Sequence, residues 1–144
     1  MKDSIECAKA AKSIGADAIF VSSPPYALPT EEENAIHALA VDQAVGLPVM
    51  LYNYPERTNA PMGREFFETV VSKSKNFIAI KESEGSTGQL HMLARYFPSI
   101  NLSCGWDDQA LEFFAWGQLG VCRFQLPARR AYCAVRGMRG REGF

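Results

Sequence analysis

The sequence predicts an α/β fold built on a parallel sheet, and three observations lead there. Short apolar runs of strand length alternate with amphipathic stretches through most of the chain. The runs are continuously apolar and not alternating, which is how strands covered on both faces read. A helical stretch separates each run from the next, so consecutive strands are expected to run parallel through right-handed crossovers.

Taken in order, the chain opens on a helical pattern over Met1 to Ile14, with Ile5, Ala8, Ala11 and Ile14 on one side. The first strand is expected at Asp17 to Val21. Thr30 to Val45 begins as a capping box, Thr30 followed three residues later by Glu33, and continues with Ile36, Leu39, Ala40 and Val41 at helical spacing. A strand at Pro48 to Asn53 follows, then a helix over Gly63 to Ser74 presenting Phe66, Phe67, Val70 and Val71. The next pair is a strand at Phe77 to Lys81 and a helix over Gly88 to Phe97 with Leu90, Leu93, Ala94 and Phe97. Ile100 to Cys104 is the fourth strand. Asp107 to Trp116 is a helix with Leu111, Phe114 and Ala115 inward and two acids at its positive end. A short fifth run lies at Gly120 to Cys122. Two architectures accommodate this order: an open doubly wound sheet, or part of a closed (β/α)8 barrel, which needs about 250 residues when complete.

Composition narrows the function classes. The chain has 144 residues, 47% hydrophobic and 22% charged, which suits a single folded domain and excludes disorder as the main state. A formal net charge of -1 leaves no global footprint for nucleic acid. No apolar run approaches the ~18 residues of a membrane span. Lys2, Asp3 and Glu6 at the start do not form a secretion signal, so a cytoplasmic location is expected. Cys7, Cys104, Cys122 and Cys133 form no CxxC pair, which fits reduced thiols and gives no zinc site.

The average conceals a break in charge after Cys122. Up to that residue there are 9 basic and 15 acidic side chains; the last 22 residues hold 6 Arg and a single acid, Glu142. We therefore divide the chain into residues 1–122 and an Arg-rich tail, 123–144. The tail lacks a helical stripe. Read in a shifted frame, with one choice of synonymous codons, its nucleotides encode an amphipathic helix, so a frameshift is one expected origin.

Active groups of parallel α/β folds lie at the C-terminal ends of strands. Lys81 stands at such an end, after Phe77-Ile78-Ala79-Ile80. A lysine drawn partly out of water has its charged form disfavoured, and a neutral amine there can attack a ketone to form a Schiff base. The alternative is a strand-end lysine that reaches out to solvent. Tyr52, at the end of the preceding strand, could relay protons or serve as a rim aromatic. Arg57, after a proline, could clamp a carboxylate or be a solvated loop residue. Tyr26 sits in a Ser-Pro-Pro-Tyr loop. Asp107 and Asp108 read as acids at a helix start, not metal ligands, since no histidine accompanies them. His37 and His91 fall on helical patterns as surface or packing residues. Gly85 to Gly88 lacks the Lys-Ser/Thr of a phosphate loop.

Tyr52-Asn53-Tyr54-Pro55-Glu56-Arg57-Thr58 resembles the Tyr-Asn-x-Pro-x-Arg-Thr motif of the dihydrodipicolinate synthase / N-acetylneuraminate lyase family. Ile78 to Ser83 resembles that family's lysine-bearing strand, Ser103 to Asp108 its following Ser-Gly-Asp-Asp segment, and Ser23 to Tyr26 its Thr-Pro-Tyr-Tyr loop, with Pro25 in place of the first tyrosine. The ordered set spans roughly residues 1 to 122. The resemblance implies a partial (β/α)8 barrel of about five parallel strands, corresponding to the fourth through eighth, with the first three outside this sequence. It implies a lyase acting through a Lys81 Schiff base with pyruvate or another 2-oxo acid, without cofactor or metal. Tyr52 would be the proton relay, Arg57 would hold a second substrate's carboxylate, and Tyr26 would match a tyrosine donated across a homo-oligomer interface. Because groups that act as a unit are not additive, the missing carboxylate pocket is expected to impair the rate. The alternative function is a non-catalytic remnant that pairs with itself or a paralogue through open sheet edges.

Overall fold

A computed structural model of the chain describes residues 1–24 and 26–115. The fifth apolar run, the Arg-rich tail and Pro25 lie outside the described residues. The order of elements is α1 (Lys2–Ser13), β1 (Ile19–Ser22), α2 (Glu31–Val45), β2 (Val49–Asn53), α3 (Pro55–Thr58), α4 (Arg64–Lys73), β3 (Phe77–Glu82), α5 (Thr87–Tyr96), β4 (Asn101–Cys104), a 3-10 turn (Asp107–Gln109) and α6 (Ala110–Ala115).

The strands form one parallel sheet in the order β1-β2-β3-β4. Each strand pairs with its sequence neighbour, so among the described strands the order never reverses. The open doubly wound reading requires such a reversal. Consecutive right-handed crossovers in one direction put their helices on one face of the sheet. Burial follows that geometry. Ile19, Val21, Val49, Leu51, Ile80, Leu102 and Cys104 are buried, while the intervening Phe20, Met50, Tyr52, Ala79 and Lys81 are not. The expectation that these strands are covered on both faces is corrected here: their continuous apolarity conceals a period-2 alternation between a helix-covered face and an open one. At Ile78 the register slips, since Val49 pairs with Phe77 but Met50 with Ala79. The extra residue lets Phe77 and Ile80 both face the helices.

The core lies between the covered face and the helices. Phe66 and Phe67 of α4 are fully buried, their rings edge to face at 5.2 Å, and Phe67 lies 5.4 Å from Phe97. The capping box forms as expected: the Glu33 N–H donates to Thr30 Oγ1 at 3.2 Å and the Thr30 N–H to Glu33 Oε2 at 2.9 Å. The Thr30 N–H and the Thr30 hydroxyl, both donating to Glu33 Oε2, hold the Glu33 carboxyl below its ordinary range. Glu31 in the same turn reaches across to α4, where its carboxylate accepts the Phe66 N–H at 3.0 Å.

Four inward assignments differ from expectation. Ile14 is 86% exposed because α1 ends at Ser13 and the chain turns away through Gly15, φ 90°. Ile36 is half exposed, whereas His37 and Asp42 are buried. Asp42 turns inward because its carboxylate accepts a 2.6 Å bond from Asn76 Nδ2. Leu111 and Ala115 are exposed, and Ala110 and Phe113 are the buried residues of α6. The 3-10 turn over Asp107–Gln109 delays the start of the α-helix and rotates its face.

Replacing Phe67 by alanine should cost about 3–5 kcal/mol, because the cavity opens where three aromatic rings meet. A urea titration followed by circular dichroism should show the transition midpoint lowered or the cooperative transition lost.

Candidate active site

The sheet register builds the site. Ser22, Tyr52, Lys81 and Ser103 stand side by side at the C-terminal ends of the four strands. On the face opposite the helices Ser22, Tyr52 and Lys81 are half-buried and Ser103 is buried. Lys81 is half-buried, and its Nζ lies 4.6 Å from the centre of the Tyr52 ring. That is a cation–π distance. Phe20, one layer down on β1, stacks on Tyr52 at 5.2 Å, with 26° between the rings. The lysine and tyrosine expected to be neighbours are therefore in contact, and Phe20 also packs on the tyrosine ring.

A second group of side chains surrounds the loop after β2. Tyr54 lies 5.8 Å from Tyr52 and meets Trp106 edge-on at 5.9 Å. Trp106 donates its indole N–H to the Ser83 carbonyl at 2.7 Å. Arg57 is carried by the one-turn helix α3, whose Pro55 occupies the first helical position, where a missing N–H costs nothing. Its guanidinium lies 5.9 Å from the Tyr54 ring centre, and hydrogen bonding to Tyr54 raises its pKa further above the ordinary arginine value. The turn closes at Asn59, which adopts the left-handed conformation at φ 48°. Gly105 brings the end of β4 against β3: a Cβ there would meet the Ser83 hydroxyl, and would lie 2.6 Å from the Glu82 carbonyl oxygen. Its own N–H donates to that carbonyl at 2.7 Å.

Tyr26 is not brought to this cluster. It is fully exposed and held at φ 62° in the loop after β1. His37 is buried beneath a groove of about 490 Å³ between α1, β1 and α2, to which Cys7, Ala8 and Phe20 also contribute. Burial lowers the His37 pKa. Lys81 and Arg57 do not line that groove, although Phe20 and Ser22 of β1 do. Among the described residues, no group of three or more His, Cys, Asp or Glu side chains is placed to hold a metal ion. No described helix is long and apolar enough to cross a membrane.

The covered face holds polar residues that the sequence reading left out. Asn53 and Glu82, the last residues of β2 and β3, pair in register and are buried to within 1%. Asn53 Nδ2 lies 3.0 Å from both Glu82 carboxylate oxygens and 3.3 Å from Glu84 Oε2. The Glu84 N–H donates to Glu82 Oε1 at 2.7 Å. Asn53 Oδ1 accepts the Met62 N–H at 3.1 Å, and Gln89 Nε2 donates to the Met62 carbonyl at 2.7 Å. Burial pushes the Glu82 carboxyl up to about 7 despite these bonds, and the neighbouring Glu84 charge adds to the effect. The signal in the sequence is parity: Asn53 and Glu82 are in phase with Leu51 and Ile80, which face the helices.

Four consecutive parallel strands, helices on one face and polar groups gathered at the strand ends define a segment of a (β/α)8 barrel wall. The chain belongs to the dihydrodipicolinate synthetase family, whose pattern it matches over residues 1–125. It is similar to the 4-hydroxy-tetrahydrodipicolinate synthase of Exiguobacterium sibiricum, at 37% identity over 118 residues, covering 81% of this chain and 40% of that one. The corresponding enzyme of Geotalea daltonii is 38% identical over 123 residues, covering 83% and 41%. Among solved structures, the 4-hydroxy-tetrahydrodipicolinate synthase of Methylacidiphilum fumariolicum SolV superposes with a TM-score of 0.87 at 30% identity, covering 94% of this chain and 46% of that one. YagE, a prophage protein of the family from Escherichia coli K12 solved in complex with pyruvate, gives a TM-score of 0.73 at 30% identity, covering 81% and 41%. The chain thus spans about two fifths of the length of the curated relatives it matches.

The raised Glu82 pKa has a defined consequence for stability. The unfolded carboxyl releases its proton near 4.5, the folded one near 7, so between those values the folded state holds the extra proton. Stability should therefore be greatest below that window and fall as pH rises through it, by about 3 kcal/mol. Urea titrations between about pH 4 and pH 8 should show this decline in the parent chain and a flatter profile in Glu82→Gln.

Proposed function

We propose that this chain carries the lysine and tyrosine of a Schiff-base lyase that acts on pyruvate or a related 2-oxo acid. The observation that supports the reading best is the contact of Lys81 with Tyr52, on adjacent strands in register. The neutral Lys81 amine attacks the ketone carbon, the carbonyl oxygen leaves as water, and a C=N bond replaces C=O. The protonated imine then makes the neighbouring carbon acidic, and loss of that proton gives an enamine able to attack an aldehyde. Tyr52 is suited to carry protons to and from the departing oxygen. Arg57, on its short helix and braced by Tyr54, is suited to hold a carboxylate of the second substrate. Tyr26, on an exposed loop, is suited to act at a subunit interface. The names of the relatives, 4-hydroxy-tetrahydrodipicolinate synthase, and the pyruvate bound in YagE agree with this assignment.

Incubation with pyruvate and sodium borohydride, followed by intact-mass measurement, should give a reduced pyruvate adduct. Lys81→Ala should abolish it. A folded chain that gives no adduct, or an adduct that survives in Lys81→Ala, refutes the reading.

A second reading is association without catalysis. It is favoured by Phe20 at 54% exposure and Ile78 at 42%, apolar residues beside the unpaired outer edge of β1 and on β3. Among the described residues no strand pairs with that edge. Sedimentation should then show a dimer or larger species that Phe20→Glu dissociates; a parent chain that stays monomeric removes this reading.

A further inference from the structure

We propose that the outer edge of β1, with the groove between α1, β1 and α2, accepts one extended apolar strand from the part of a family barrel that this chain does not span. This develops the reading of association through the β1 edge by naming the partner, and it does not require the chain to pair with itself. The groove, about 490 Å³, is lined by every residue from 18 to 24. Successive residues of a strand point to opposite faces. A groove that touches all of them runs along the backbone edge of β1, not over either face. At 3.3 Å per residue that edge is about 20 Å long.

One bond fixes the direction of the backbone groups. The Ile19 N–H donates to the Pro48 carbonyl at 2.9 Å, toward β2. The groups alternate in direction along a strand, so the N–H and C=O of Phe20 and Ser22 point away from β2. No described residue pairs with them. Such a row of donors and acceptors is a template for another peptide backbone.

The walls define the side chains that this strand should carry. Asp3 is the one charged residue of the lining, because burial lowers the His37 pKa and keeps the imidazole neutral. The α1 wall presents Ser4, Cys7, Ala8 and Ala11, small residues on one face of the helix. They leave room for apolar side chains. Of the 12 residues of α1 only Ala8 is buried; Ser4 and Ala11 are half-buried and Cys7 is exposed. The inward face of α1 is therefore still largely open.

Architecture identifies the partner. The described sheet has four strands, and a closed barrel has eight, each paired on both edges. The Methylacidiphilum fumariolicum SolV synthase superposes on 94% of this chain with 46% of its own length. A buried strand of a parallel sheet is a continuous apolar run, which is the chemistry that the groove fits. A second copy does not fit it. In a symmetric pair each β1 would bring its own α1 to the shared edge, and two helices would compete for one groove.

Co-expression tests this. The chain is produced together with the portion of the Exiguobacterium sibiricum synthase that precedes its match to this chain, and the soluble fraction is resolved by gel filtration. A one-to-one complex is expected. In it, alkylation of the exposed Cys7 by iodoacetamide, read by peptide mass spectrometry, should be slowed about tenfold relative to the free chain. Ser22→Pro removes an outward N–H, a change that an edge strand tolerates, so this variant should fold and lose the complex. Cys7→Glu places a charge in the groove at an exposed helix position; it should weaken the complex as well, and it decides the matter if Ser22→Pro does not fold. The proposal is overturned if the barrel portion stays insoluble or separate from the soluble chain. It is overturned if Cys7 in the complex reacts as in the free chain, or if the complex persists in folded Ser22→Pro or Cys7→Glu. A parent chain that dimerises on its own with Cys7 protected assigns the groove to a second copy and overturns it too. A monomeric parent that forms the protected complex removes self-association and upholds the proposal.

Discussion

The handedness of the crossovers is the constraint on which the rest of this structure depends. β1 to β4 are laid down in sequence order and all run parallel, so each connection advances in the same direction across the sheet. Right-handed connections that advance one way place their helices on one side. The sheet therefore acquires a face that helices cover and a face that they do not. Every strand divides its residues between the two by simple alternation. Apolar residues on the covered side bury against Phe66, Phe67, Leu90 and Leu93 and supply the cohesion. The other side is left for Phe20, Tyr52 and Lys81, whose side chains can approach one another without competing for the core.

The parts of this arrangement that local chemistry dictates were legible in the sequence. The Thr30–Glu33 capping box depends on four consecutive residues and forms as written. The order of strands follows from alternation, and the meeting of Tyr52 with Lys81 follows once sequential strands are neighbours. What the sequence did not convey was phase. A helical stripe identifies a face but not which neighbour it meets. Asp42 turns inward because Asn76, from another part of the chain, supplies its partner. Leu111 turns outward because a 3-10 turn resets the helix that follows. The runs at the strands looked uniformly apolar because the open face also carries Phe20, Met50 and Ile78, and composition does not distinguish a face that helices cover from one that looks across a barrel.

The same lack of phase hid the polar rung. Asn53 and Glu82 close their strands where a loop begins, and a polar residue there reads as the start of the loop. Parity along the strand places both with Leu51 and Ile80, facing the helices. A buried carboxyl is costly unless its oxygens are occupied. Here they are occupied by donors from Asn53 and Glu84, which belong to different segments. The cost of burial is thereby turned into a joint, because the bonds that satisfy the carboxyl exist only when those segments are in place.

These features together explain how site geometry can reside in a stretch that spans two fifths of its relatives' length. The contacts that set Lys81 against Tyr52 come from two adjacent strands and the rung behind them. They do not come from residues across the barrel. The covered face, with its helices, completes most of the burial that holds those strands. What the open face contributes to stability is smaller, since Phe20, Tyr52 and Lys81 remain partly exposed even where they stack. Stability and chemistry are thus assigned to opposite faces of the same strands. Lys81 and Tyr52 keep their contact with the inner face uncovered, and the Asn53–Glu82 pair forms the next rung of the same two strands on the covered face.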